Sequence, residues 1–444
     1  MPKTTKRVSR TGRLKVAELF AGVGGFRLGF DKAGSFNTVF SSQWEPPGTP
    51  TKQFASRCYV ARFGPEGHWN EDIEKVLDRV EEGKQELPDI DVLCGGFPCQ
   101  DYSVAKPANQ SKGIRGKKGV LWWQIHRMLE LYAEDGRPVR WVVLENVDRL
   151  LKSPTTHRGR DFAVMLATLS DLGYDIEWRV INAADYGFPQ RRRRVFIVAY
   201  PRTAEETNGL DRVFRSGVLA RTFPVERPDL AEHLDGPHFT IDGAPDRIST
   251  HFGKGVVRTA FMNAGFMTGR KVWTYGPQPD YLGHSTTLGE ILVDDDSVPD
   301  ELRLSTAERK KWAYLKGAKN EPRIHKGSGL SYFYTEGALP FPDPLDRPAR
   351  TILTGEGGAS ASRFKHVVAT ESGLRRLTPV ELERLNGFPD DWTNTGMTQV
   401  QRAFCMGNAL VVGVVTAIAK TIAKDSRAAA KGGPAKRRKA AKKG

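Results

Sequence analysis

A cysteine stands in a glycine- and proline-rich loop, Gly95-Gly96-Phe97-Pro98-Cys99-Gln100-Asp101-Tyr102-Ser103. A structural cysteine sits among apolar neighbours, whereas this one is flanked by glycines, a proline and polar residues. The apolar run Ile90-Asp91-Val92-Leu93-Cys94 just before it reads as a short buried strand. Cys99 is therefore expected in a loop at the carboxyl end of a strand, where open α/β sheets bind their ligands. A thiol there is a candidate nucleophile.

Other apolar runs also end in groups suited to chemistry. The first, Val16 to Phe20, leads into the turn Ala21-Gly22-Val23-Gly24-Gly25, which permits close backbone approach to a ligand or to a helix. The second, Thr38 to Ser42, leads into Gln43-Trp44-Glu45, an aromatic plate with polar neighbours. Asn70-Glu71-Asp72-Ile73 has the acidic cap of a helix N-terminus. Glu145-Asn146-Val147 follows Trp141-Val142-Val143-Leu144, so Glu145 is either a capping charge or a general acid in a cleft. Gln190 is followed by four arginines running into the apolar Val195 to Ala199. Alternate residues of an extended segment share a face, so Arg192 and Arg194 are expected to point together as a two-pronged anion clamp.

The elements that must hold these groups alternate strand with helix. Helical spacing is expected over 26–30, 71–86, Leu121–Leu131 and 161–172, with strands between. Continuous apolar strands separated by helices predict an α/β fold, a doubly wound and mostly parallel sheet. Residues 13–200 form this first domain. Residues 201–373 are richer in Pro and Gly, with scattered aromatics, and read as a smaller irregular domain. One helix there is opened by the capping box Ser305-x-x-Glu308. Residues 374–424, with a helix starting at Thr378-Pro379 and an apolar stretch from Ala409 to Ile422, return to complete the first domain.

The net charge is +15, of which residues 1–12 carry +4 and residues 425–444 carry +7, leaving +4 for residues 13–424. Both tails lack apolar periodicity and are expected to be disordered. They either add salt-sensitive affinity for phosphates or only confer solubility. No long apolar run or signal-like core is present, so a cytoplasmic protein without a membrane partner is expected. The four cysteines form no CxxC pair and no metal-spaced cluster, so neither zinc nor disulfides are expected.

Six blocks, in order, resemble the DNA (cytosine-5) methyltransferases of bacterial restriction–modification systems: Glu18 to Gly25, Gly96 to Gln100, Glu145 to Val147, Gln190 to Arg194, Arg376 to Pro389, and Gly407 to Leu410. The resemblance implies a Rossmann-like fold with S-adenosylmethionine as cofactor. It assigns the cofactor to Phe20, Gly22, Gly24, Gly25, Trp44, Asp72, Ile73, Pro98, Leu121, Asn408 and Leu410. The family's ribose-binding acid before the aromatic is Gln43 here, so either Gln43 or Glu45 takes that role. Cys99 is implied as nucleophile, Glu145 as acid, Arg192 as holder of the cytosine carbonyl oxygen, and Arg194 as support for Glu145 or the Cys99 region. Gln100, Ser103, Lys112, Arg115, Lys117 and Lys118 are implied as DNA contacts on a closing loop, and Thr351 as a contact from the target-recognition domain.

A monomer acting on duplex DNA follows from the resemblance, alongside a cognate restriction endonuclease. Two other readings are a tRNA cytosine-5 methyltransferase of the same fold and a catalytically dead DNA-binding homologue. About 170 residues of variable region argue against the first, and intact Cys99, Glu145, Arg192 and Arg194 against the second. A cysteine hydrolase is weaker, because no histidine stands in a comparable loop.

Overall fold

The computed structural model describes residues 12–46, 53–97, 121–203, 208–227, 236–325, 327 and 329–432. Strand and helix alternate through β1 (Leu14–Leu19), α1 (Gly25–Ala33), β2 (Phe36–Ser42), α2 (Phe54–Phe63), β3 (His68–Trp69), α3 (Ile73–Glu81) and β4 (Val92–Gly96). They continue through α4 (Leu121–Glu134), β5 (Trp141–Val147), α5 (Arg160–Asp171), β6 (Tyr174–Asn182), β7 (Gln190–Arg191) and β8 (Arg193–Pro201). Short elements follow: α6 (Gly209–Asp211), α7 (Val218–Thr222), β9 (Phe239–Thr240), α8 (Pro245–His251), β10 (Ala264–Thr268) and β11 (Lys271–Tyr275). The remainder comprises α9 (Thr306–Lys316), β12 (Lys319–Ile324), β13 (Ser331–Glu336), β14 (Ala349–Arg350), β15 (Val367–Thr370) and β16 (Gly373–Arg376). It ends in α10 (Pro379–Leu385), α11 (Gln399–Asn408) and α12 (Val412–Gly432).

A mixed, mostly parallel ten-stranded sheet in the order β3-β2-β1-β4-β5-β8-β6-β10-β11-β9 organises the fold. β3, β2, β1, β4 and β5 are mutually parallel, and β8 runs antiparallel between β5 and β6. Alternate residues enter two separate cores. Ala17, Leu19, Leu93, Val142 and Leu144 face the core under α3, α4 and α5. Val16, Val92, Cys94, Trp141 and Val143 face the core that α1 and α12 cover. A sheet covered on both faces needs apolar residues at every position, which accounts for the unbroken apolar runs.

Four features differ from the sequence expectations. The helix expected over 71–86 stops at Glu81, because Gly83 takes a left-handed φ of 69° and turns the chain. β6 gave no strand signal, since Asp175, Glu177 and Arg179 alternate through it. All three are buried and paired: Asp175 with Arg202, Glu177 with the backbone N–H groups of Val218 and Leu219, and Arg179 with the carbonyls of Val213 and Phe223.

The other two concern the second half. β10, β11 and β9 fall within 201–373, yet they extend the main sheet through β6, burying Trp273 and Phe266 in a satellite core. The tail from 425 begins as helix rather than disorder, because α12 runs on to Gly432. Its continuation is anchored by the Asp425–Arg221 ion pair and by a 3.1 Å hydrogen bond from the Trp141 indole to Ser426. Among the described residues no single helix is long and apolar enough to cross a membrane.

Candidate active site

The strand ends converge on two adjoining clusters. The first forms where β5, β4 and β8 end. Glu145 lies in register with Gly96 of β4, and a Cβ on Gly96 would stand 3.3 Å from the Glu145 Oε2, so only glycine fits without displacing the carboxyl. Arg194 of β8 donates from Nε to the Glu145 Oε1 at 2.9 Å, with the Glu145 side chain 13% exposed. Burial raises the Glu145 carboxyl above its ordinary pKa, against the lowering pull of Arg194 and Arg192. The group is thereby poised to carry a proton, as a general acid requires.

The arginines alternate as expected, with Arg191 and Arg193 exposed and Arg192 and Arg194 turned inward. Their partners differ. Arg192 is 2% exposed, and its two terminal nitrogens donate to the Ile352 carbonyl at 3.3 Å and the Gly407 carbonyl at 2.9 Å. Burial first, then the cation of Arg194, pushes its pKa down to about 9, which leaves it protonated at neutral pH. Both terminal nitrogens already serve backbone carbonyls, and the buried Nε has no hydrogen-bond partner among the described residues, so Arg192 reads first as a brace rather than as a ligand for a cytosine oxygen. Arg194, beside the carboxylate and partly exposed, is the better-disposed of the two.

Three residues to which sequence reasoning gave no individual role brace this cluster. Asn146 is buried and donates from Nδ2 to the Phe97 carbonyl at 2.9 Å, tying the end of β5 to the segment two residues before Cys99. Gln190, fully buried, donates to Asn386 at 3.0 Å and accepts from the Ile352 N–H at 3.1 Å. Asn386 in turn donates to the Met406 carbonyl at 2.9 Å. A polar residue inside an apolar or charged block was the available signal, but the partners lie elsewhere in the chain, 49 residues away for Asn146 and 196 for Gln190.

The second cluster joins the ends of β1 and β2. Phe20 adopts a left-handed φ of 55°, uncommon for a bulky residue and a mark of functional strain, ahead of Gly22 at 56° and Gly24 at 86°. The Gly22 N–H donates to Gln43 Oε1 at 2.8 Å, so Gln43 closes the glycine turn onto β2. Gln43 also accepts at its carbonyl from Asn70 at 2.6 Å. The Glu45 backbone pairs with the Gln53 side chain, while its Oε2 is buried with no hydrogen-bond partner among the described residues. Burial raises the Glu45 carboxyl. Trp44 is half-buried beside them.

Around this turn Gly25 packs on Leu410 and Phe388, and the Trp392 indole donates to the Val23 carbonyl at 2.9 Å. Asp72 caps α3 through the Glu74 N–H, and Ile73 is buried in the core. Leu121, half-buried, opens α4, and Asn408 ends α11 exposed. Thr351 donates its hydroxyl to the Arg191 carbonyl at 2.5 Å. Pro98, Cys99, Gln100, Ser103, Lys112, Arg115, Lys117 and Lys118 lie outside the described residues.

The other cysteines narrow the choice of nucleophile. Cys58, Cys94 and Cys405 are buried free thiols, and burial raises the pKa of each, well above the ordinary value for Cys94 and Cys405. Inert buried thiols of this kind are structural.

Residues 14–424 match the family described as C-5 cytosine-specific DNA methylase. The chain belongs to that family. It is 45% identical over 420 residues to the type II methyltransferase M.Sau3AI of Staphylococcus aureus, spanning 93% of this chain and 96% of the relative. The type II methyltransferase M.NgoBI of Neisseria gonorrhoeae is 30% identical over 410 residues, spanning 91% and 92%. In fold, it resembles the S. pombe Dnmt2 methyltransferase, with a TM-score of 0.56 at 14% identity over 93% of this chain and 99% of that one. The protein is therefore a DNA (cytosine-5) methyltransferase of the restriction–modification type.

Proposed function

We propose that this methyltransferase modifies one cytosine within a specific duplex sequence through a transient bond from Cys99 to C6 of the base, with S-adenosylmethionine as cofactor. The observation that carries this reading is the buried Glu145–Arg194 pair set against the glycine end of β4. The second cluster suits the cofactor: a glycine turn open to close approach, the half-buried Trp44 for an adenine face, and the orphaned Glu45 Oε2 as an acceptor for hydroxyls. Gln43 spends its oxygen on Gly22 and keeps its amide donors for the ligand. When bound, the cofactor supplies a methyl group made electrophilic by its sulfonium.

Cytosine C5 is a weak nucleophile, so the ring must be activated. The Cys99 thiolate adds to C6 while Glu145 gives its proton to N3, which leaves C5 electron-rich and able to take the methyl group. A water or hydroxide from solvent then takes the C5 proton, the electron pair left behind expels the Cys99 thiolate, and Glu145 recovers its proton from N3. Arg194 holds Glu145 in place and faces the pyrimidine carbonyl oxygen, whereas Arg192 acts through the segments it ties together. Neither ring carbon is reachable in a stacked duplex, so the base must be flipped out at a cost of a few kcal/mol. The chain works as a monomer in the cytoplasm, paired with an endonuclease that cuts the same sequence.

Bisulfite sequencing of DNA from a methylation-deficient host expressing the chain tests this reading. Methylated cytosines at one recurring sequence, lost in Cys99→Ser, are expected. Unmodified DNA, or an active serine variant, overturns it.

A further inference from the structure

α12 carries a row of cations that the chemistry above does not use. Lys420, Lys424 and Arg427 are exposed and spaced i, i+4, i+7, so they lie along one side of the helix. Neither lysine has an ion-pair partner among the described residues. The other side of the helix is spent on the core, where Val415, Ile418, Ala419 and Ile422 are fully buried. The one acid in α12, Asp425, stands off the row and is taken by Arg221. A helix end attracts cations through its dipole, but that field acts only within the last turn. Lys420 and Lys424 stand more than two turns before Gly432, so the dipole does not account for them.

The row lies away from the catalytic edge of the sheet. α12 starts beside the glycine turn, where Leu410 meets Gly25, and runs to the amino end of β5, where the Trp141 indole holds Ser426 at 3.1 Å. Lys420 and Arg427 are thereby roughly 12 and 22 Å along the helix axis from Val412. The first and last described segments of the chain meet at this edge. Arg427 donates to the Ser35 hydroxyl at 2.5 Å, and the Leu14 N–H donates to the Ser35 carbonyl at 2.9 Å. By sequence, residues 1–13 carry five Lys/Arg and residues 433–444 carry six, with no acid in either segment. Asp31, the acid that faces Arg13 from α1, is engaged by Arg27 at 3.9 Å.

Charge selects the partner. A row of cations continued by two acid-free basic segments suits a phosphate backbone and repels a second copy of the same chain. A lipid surface would need an apolar face beside the cations, and α12 has already buried its own. We infer that the α12 row and the two basic terminal segments form a second DNA-backbone site, at the edge of the sheet opposite Glu145 and Arg194, that holds a duplex segment other than the target. This rests on the reading above, in which the target base enters at the carboxyl ends of the strands. A chain that grips two segments keeps hold of one while it releases the other, so it passes between stretches of DNA without returning to bulk solution.

The test is co-capture of two duplexes. Beads bearing a short target duplex are mixed with the full-length chain and a fluorescent short duplex of unrelated sequence, and the fluorescence retained on the beads is read. The wild type is expected to retain the fluorescent duplex. Lys420→Ala/Lys424→Ala is expected to cut retention at least about fivefold and to lower the slope of log retention against log salt by about 1.8, two phosphates' worth. A chain stopped after Gly432 is expected to lose retention altogether. Methylation of a single short duplex and thermal melting should stay at wild-type levels in the double variant, whose lysines are exposed. Failure of the wild type to retain the second duplex, or equal retention by all three proteins, would overturn the inference. So would weaker binding of a single short duplex by the stopped chain with retention intact, which would put the basic segment on the target duplex itself. Retention is read without methyl transfer, so its failure is separate from a failure of the Cys99 chemistry.

Discussion

Glu145, Arg192 and Arg194 look equivalent as chemistry-bearing residues, but their surroundings separate them. Glu145→Gln removes the transferable proton while keeping the shape, so kcat should fall about 10²–10⁴-fold with cofactor binding retained. Arg192→Met leaves the Ile352 and Gly407 carbonyls without donors. Its main effect should be a loss of stability, roughly 1–3 kcal/mol in urea melts. Arg194→Met, by contrast, should depress kcat at nearly unchanged stability. The blocks that hold Cys99 and Glu145 stand out in the sequence because they are compact and distinctive. Glu18 does not, because its meaning depends on Tyr59, which meets it from α2 with a 3.1 Å hydrogen bond. Burial raises the Glu18 carboxyl to about 8, over the opposing hydrogen bonds from Tyr59 and the Arg27 N–H. The fold therefore favours its neutral form, and this contribution is complete below its unfolded pKa and lost as pH rises through about 8. Glu18→Gln should consequently gain stability over wild type between about pH 5 and about pH 9, by on the order of 4 kcal/mol. Urea melts across that range check it.

Elements carry information that single residues do not. The parallel strands were readable because two-sided burial writes an unbroken apolar run, and the capping boxes of α9 and α10 form with both reciprocal hydrogen bonds. β6 escaped because Glu177 and Arg179 are paired with the segment from Val213 to Phe223 and Asp175 with Arg202, which no local pattern announces. For the same reason the change of texture near residue 201 does not mark the edge of the sheet, since β10 pairs with β6. At the active site the critical juncture is between the ends of β4 and β5. Asn146 joins them through the Phe97 carbonyl, so Asn146→Ala should release the approach to the Cys99 loop. The expected result is a fall in kcat of about 10-fold or more with cofactor affinity unchanged, because a small misplacement of a nucleophile is costly. Single-turnover methylation beside calorimetric titration of the cofactor separates the two.

At the scale of the whole molecule the chain closes on itself. α12 returns to cover α1, and their contact is tight at Gly29, where an added Cβ would stand 2.7 Å from Val415. The helix preference for alanine is worth only about 1 kcal/mol, while overpacking costs about 1–3 kcal/mol. Gly29→Ala should therefore lower the melting temperature, and Gly29→Val should lower it further. The same return brings Leu410 against Gly25 and Trp392 against Val23, so the glycine turn after β1 depends on residues from both ends of the chain. That dependence was visible in the sequence only as an apolar stretch after Ala409, without the partner it would meet. What unites these scales is the proposed covalent step at one sulfur, and trapping it is the direct measurement. Incubated with cofactor and duplex DNA carrying 5-fluorocytosine at the target, the wild-type chain should form a denaturant-resistant adduct that Cys99→Ser does not. An adduct that persists in Cys99→Ser, or normal methyl transfer by that variant, would contradict the account.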